Sequence, residues 1–358
     1  MTTAREYMHE MPESLRNRLA RHHESGGKSV AYAGTHFPEE LAESLDLLPI
    51  PLLQMGEYRD PELEDRWIDD KEEADTRTVF LRMMRGDPPG LSALVCTRAL
   101  DHAHYFLRET LRVGVWPGAV PIHLFDMIAM EGESVAAYNR DCMYRLAAFL
   151  ERVAQRGIDP ERLRQAAADR AVRRAFLNRI AELRRSGAIT GASAFEAMLT
   201  GEEPERKAAN GARLLLVASK PLQGNSVHQH VEASGWTVAD EEDGSGRFDL
   251  RDGPDLSGNP LEALADHYAS LPSALAHPRD RRLGHLAGKL DTGRIDAVLC
   301  WMDSKDLRLG WDYPALRDQF EARGIPTEMV RADPETPKGR DAIIGAAAAL
   351  HHRTVHAG

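Results

Sequence analysis

The run Ala212-Arg213-Leu214-Leu215-Leu216-Val217-Ala218-Ser219 constrains the fold more than any other stretch of this chain. Its apolar residues are continuous rather than alternating, as in a strand covered on both faces. Such strands belong to parallel sheets, whose crossover helices lie on both sides. Shorter apolar runs recur at residues 29–33, 94–96, 120–124, 236–239, 297–301 and 326–330. Residues 48–53, with Pro49 and Pro51, read as an edge strand. Helical patterns separate these strands. The expected fold is therefore α/β, with two doubly wound parallel-sheet domains of flavodoxin or Rossmann type.

A helical arm interrupts the alternation. Tyr144, Leu146, Phe149, Leu150 and Val153 recur near a helical period, and Gly157 ends that helix. Asp159-Pro160-Glu161 starts the next, residues 171–185 form a third and residues 193–199 a fourth. The charged, apolar-poor stretch GEEPERKAANG at 201–211 reads as a linker. The expected division is 1–130 for a first α/β domain with an N-terminal helix, 131–200 for the arm, 201–211 for the linker and 212–358 for a second α/β domain. Residues 56–85 are weakly periodic and read mostly as loop with a helical piece, and a late helix is expected to start near Tyr313-Pro314.

With 45 Lys+Arg against 56 Asp+Glu, the chain carries a formal net charge of −11. That field repels a phosphate backbone, so nucleic acid is not an expected partner. A local basic pocket can still override the global sign for a small anion. The absence of a long apolar run and of a signal-peptide core predicts a cytoplasmic protein that does not enter the membrane. Cys96, Cys142 and Cys300 are too widely spaced for a zinc ribbon. Cys96 and Cys300 fall at strand ends, where they serve either as small core residues or as iron ligands, with Cys142 an unfavourable third.

Ligands in open α/β sheets bind where strands end, so the strand-end residues are the candidates. Gly34-Thr35-His36 precedes Pro38-Glu39-Glu40, a helix start with acids in its first turn. This is either an ordinary βα turn or a place where backbone N–H groups, Thr35 and His36 meet a phosphate or carboxylate. Lys220 follows the strongest strand, in a loop with neither G-x-G-x-x-G nor a P-loop. Asp303, Ser304 and Asp306 open the polar stretch after residues 297–301.

Four stretches in order resemble the subunits of the 2-hydroxyacyl-CoA dehydratase and benzoyl-CoA reductase family. They are VAYAGTHFPEELAESLDLLPIPL, the arm down to Thr190-Gly191-x-x-x-Phe195, ARLLLVASKPLQGNSVHQHVEASGWTVADEE and DAVLCWMDSKDLRLGWDYPALRDQFEARGIPTEMVRAD. The resemblance runs from about Lys28 to Ala348. It implies a soluble subunit of a lyase or oxidoreductase complex, paired with a paralogous subunit that bears a cluster. An ATP-dependent activator delivers the electron to an acyl-CoA thioester. It also implies a four-iron–four-sulfur cluster, but the family's cysteine positions fall here on Gly34, Leu100, Ser273 and Asp306. Oxygen ligands suit hard cations rather than thiolate-bound clusters. The expectation is a divergent subunit without its own normal cluster, acting on an acyl thioester or related substrate. On this resemblance Thr35, His36, Glu40 and Asp306 are the catalytic candidates, and Gly34, Lys220, Asp303 and Ser304 the substrate-binding ones; no metal site is expected. Two alternatives remain: an autonomous enzyme whose cluster is held by Cys96 and Cys300, and a non-redox acid/base enzyme or binding protein using His36, Glu40 and Asp306.

Overall fold

The structure, a computed structural model, describes residues 13–356 except 57, 70–71, 223, 245–251, 272–277, 304–305, 307 and 335. Ser273 and Ser304 thus lie outside the described residues. Two compact units emerge: residues 1–172 with 251–271, and residues 173–250 with 272–358.

The first unit begins with α1 (Glu13–Glu24), β1 (Lys28–Ala33), α2 (Glu39–Ser44) and β2 (Leu47–Pro51). It continues through α3 (Pro61–Trp67), α4 (Ala74–Arg85), β3 (Ala93–Thr97), α5 (Asp101–Arg112) and β4 (Ile122–Phe125). The long helix α6 (Glu133–Ala154) follows, and α7 (Pro160–Arg185) contains the boundary between the units. The second unit adds α8 (Gly191–Thr200), β5 (Ala212–Ala218), α9 (Ser226–Glu232) and β6 (Trp236–Glu242). The chain then returns to the first unit for α10 (Pro260–Ser270). It finishes the second with α11 (Arg279–Gly293), β7 (Ala297–Met302), α12 (Arg308–Glu321), β8 (Thr327–Arg331) and α13 (Pro337–His356).

Each unit is built on a four-stranded parallel sheet, in the orders β2-β1-β3-β4 and β6-β5-β7-β8. The continuous apolar run of β5 is explained by its two covered faces. Leu214, Leu216 and Ala218 pack in one core cluster with Trp236, Val231 and Ile343. Leu215 and Val217 pack in another with Leu286, Leu316 and Phe320. Each fully buried Leu or Val contributes about 1.5–3 kcal/mol. The first sheet repeats the arrangement, with Val30 and Val95 on one side and Ala31 and Leu94 on the other.

The Thr190-Gly191-x-x-x-Phe195 motif has a packing basis. Thr190 caps α8 by accepting from Ser193 N. A Cβ on Gly191 would lie 2.6 Å from Val238, so only glycine lets α8 meet β6 this closely. Phe195 is fully buried against the His228 ring, with centroids 4.7 Å apart.

Several expectations need correcting. Residues 56–85 hold two helices rather than mostly loop, because α4 is buried almost all round. Residues 160–185 form one helix rather than two. Helix α12 starts a full turn before Tyr313, with Pro314 inside it. Pro314 has no N–H, so the carbonyl of Gly310 gains no partner there. By compactness, most of residues 131–200 groups with the first unit, and so does α10. Among the described residues, no helix is long and apolar enough to cross a membrane.

Candidate functional site at two strand switch points

In each sheet the strand order reverses once, between β1 and β3 and between β5 and β7. Open α/β sheets form their binding crevice at the carboxyl ends of such strands. In the first unit this point lies at Gly34 and Thr97, directly after β1 and at the end of β3. Gly34 has φ +102°, and a Cβ there would stand 2.0 Å from Thr97 Oγ1 and 3.5 Å from Leu100 Cδ2. Thr97 fills the volume that any side chain at position 34 would need. The Thr97 hydroxyl is buried and makes no hydrogen bond among the described residues. Thr35 is buried, and His36 follows in the left-handed region with φ 65°.

Glu40 is committed elsewhere than to this turn. It is buried and accepts from the Tyr268 hydroxyl, at 2.8 Å to Oε2 and 3.1 Å to Oε1. It belongs to a cluster in which Arg170 serves three carboxylates: Glu39, Glu40 (3.8 Å) and Glu43 (3.3 Å). The Tyr32 hydroxyl donates to Glu39. Burial pushes the Glu43 carboxyl up to about 7; Arg18 opposes this, while Glu40 and Asp169 add to it. Sequence reasoning missed Glu39 and Glu43, although the acids at 39, 40 and 43 share one helix face.

This raised pKa has a measurable consequence. Between the ordinary value of 4.5 and about 7, folded Glu43 keeps a proton that the unfolded chain has released. Stability therefore falls as pH rises through that window. The melting temperature of the wild type should drop between pH 5 and 7.5 relative to that of Glu43→Gln. Parallel pH profiles for the two proteins would remove the assignment.

In the second unit the switch point joins Ser219, Lys220 and Asp303. Lys220 Nζ lies 2.8 Å from Asp303 Oδ2. The Asp303 N–H donates to Ser219 Oγ at 2.9 Å, which fixes the two strand ends together. Asp306 is an N-cap: its Oδ1 accepts from Leu309 N at 3.0 Å at the start of α12. A cavity of about 40 Å³ beside these strand ends is lined by Ser219, Asp243, Arg282 and Asp312 among others. It has room for a few waters and no acyl chain.

Behind the β6 edge lies a dense ionic network. Arg184 reaches Glu241 at 3.2 Å and Asp240 at 3.5 Å. His228 Nε2 meets Glu241 at 2.5 Å, and Lys289 Nζ lies 3.2 Å from Asp240. Burial works to raise the Glu242 pKa, but His285 at 2.8 Å and the nearby Lys289 charge outweigh it and hold this carboxyl below the usual range.

The thiols offer no strand-end ligand. Cys96, Cys142 and Cys300 sit in three separate core clusters. Burial pushes Cys96 and Cys300 up to about 12, and the Asp101 charge adds to this at Cys96, so neither ionises readily on its own. The positions expected to replace the family's ligands fit a cluster no better: position 34 has no room, Leu100 is core and Asp306 caps a helix. Among the described residues, no three His, Cys, Asp or Glu side chains converge on a cation.

A family model described as 2-hydroxyglutaryl-CoA dehydratase, D-component, matches residues 34–342. The chain belongs to that family. Members of it are components of a dehydratase, and the match spans both switch points and the arm. No curated protein matches the chain. A mutant laminin-binding adhesin from Streptococcus agalactiae is a structural match at 9% identity, covering 92% of this chain and 100% of its own. Its TM-score is 0.23, too low to carry any argument.

Proposed function

We propose that this family member is a cluster-free subunit of a 2-hydroxyacyl-CoA dehydratase or reductase complex. It acts on an acyl thioester or related substrate beside a paralogous subunit that holds the four-iron–four-sulfur cluster and receives the activator's electron. The observation behind this reading is Gly34 against Thr97: the place of a ligand side chain is taken by a neighbouring threonine. In this proposal the chain contributes polar contacts at its two switch points. The first unit offers the Thr97 hydroxyl, Thr35 and His36 at its strand ends. In the second unit Lys220, held by Asp303, offers a cation for a carboxylate or phosphate.

The test is iron and acid-labile sulfide in the anaerobically purified chain, alone and then co-expressed with a cluster-bearing family member. The chain alone should contain neither in stoichiometric amount, and the pair should co-purify with iron. Stoichiometric iron and sulfide in the chain alone would overturn the reading.

One observation favours a non-redox alternative. Glu43, next to the Glu40–Tyr268 pair, holds a proton that titrates near neutral pH, as acid/base chemistry requires. Turnover of an acyl thioester by the chain alone, without iron or activator, would select it.

A further inference from the structure

The largest of the cavities described lies in the first unit, away from its switch point. It encloses about 630 Å³ at the opposite end of the first sheet, where β1 and β4 begin. The length of β1 separates it from Gly34 by roughly 15–20 Å. Five lining side chains are cationic or can become so: Lys28, His104, Arg108, His123 and Arg152. No carboxylate lines it, although the chain carries a net charge of −11.

The two arginines set this pocket apart. Most arginines of this chain are ion-paired, but neither Arg108 nor Arg152 makes an ion pair or hydrogen bond among the described residues; Arg152 only overlies the Phe149 ring at 6.0 Å. Lys28 Nζ donates to Val153 O at 2.8 Å, which holds its charge at the pocket wall. His123 stacks on Phe149, with centroids 5.0 Å apart and planes 20° from parallel. Burial pushes His123 down to about 4, and His104, Arg145 and Arg152 add to the effect. The charges of Lys28, Arg108 and Arg152 are thus gathered with no carboxylate in the lining, an arrangement that costs free energy until an anion enters. Leu111, Ile122 and Val153 form an apolar wall beside them. The volume lies in the range of small-ligand sites.

We propose that this pocket binds a small organic phosphate, its phosphate between Arg108 and Arg152 and its apolar body against Leu111 and Ile122. The inference is independent of the function proposed above, since it uses no switch-point residue. Guanidinium groups suit phosphate because their planar donors bind it bidentately.

Titration calorimetry with phenyl phosphate and with inorganic phosphate tests it. Phenyl phosphate should bind one per chain, and inorganic phosphate at least tenfold more weakly. Arg108→Gln/Arg152→Gln should weaken phenyl phosphate tenfold or more; both side chains are exposed, so the fold is retained. Leu111→Glu, at a position 44% exposed, should weaken it similarly by placing a carboxylate at the wall. Absence of binding, or unchanged affinity in both variants, overturns the proposal. So does equal affinity for the two phosphates, or loss of binding only in Lys220→Ala.

Discussion

Replacing Gly34 by cysteine should lower the stability of the first unit by about 2–6 kcal/mol and create no iron site. Two costs combine. A φ of +102° is a glycine conformation, and a residue with a Cβ loses about 1–3 kcal/mol in such strained backbone. The new Cβ also falls 2.0 Å from Thr97 Oγ1, and overpacking of this kind costs about 1–3 kcal/mol. The double variant Gly34→Cys/Thr97→Ala separates them. It should recover part of the loss, since the Thr97 hydroxyl is removed while the backbone strain stays. Urea unfolding gives the loss, and amide exchange in β1 and β3 locates it. A single variant as stable as the wild type would mean that the turn readily accommodates a ligand side chain. The cluster-free reading would then lose its main support.

The second large effect is expected at Arg184. Its guanidinium is buried against Glu241 and Asp240. Removing one member of a buried ion pair typically costs about 3–5 kcal/mol, because the remaining charge stays desolvated. Arg184→Met should therefore destabilise the second unit by about that much, even though Lys289 still faces Asp240 and His228 still faces Glu241. Adding Glu241→Gln should restore part of the loss, since a neutral amide needs no counter-charge. A change below about 1 kcal/mol in thermal or urea unfolding would show that Lys289 and His228 suffice as partners.

Much of the fold was legible because branched apolar runs have few homes. A run such as Leu214–Val217 cannot face water on either side, and this alone implies a parallel sheet with helices on both faces. Helix α4 was not legible for a related reason. It buries Thr76, Arg77, Thr78 and Arg82 along with its apolar residues, so no apolar stripe appears. Arg82 is tolerated inside because it donates to Met55 O at 2.9 Å and Gly56 O at 3.2 Å and pairs with Asp87.

The site was legible in part. Lys220 and Asp303 follow two strong strands, and the structure pairs them. Asp306 has the ordinary role of a helix cap, which the polar run Asp303-Ser304-Lys305-Asp306 did not disclose. Thr97 left no sign in the sequence, because its importance comes only from the missing Cβ of Gly34 on another strand. The partners of Glu40 were equally hidden: Tyr268 lies 228 residues further along the chain.

The return of α10 to the first unit has a consequence for how the protein is made. Leu264 and Ala265 of α10 are fully buried among residues of α2 and α6. The first unit cannot close that part of its core until residue 271 has left the ribosome. Roughly a hundred residues separate that point from the end of its first segment, about 5–20 s of synthesis. During this interval a nascent chain displays the apolar face of α6 to water or to a chaperone. Strand β5 and its neighbour β6 emerge meanwhile, so the two units mature together rather than one after the other.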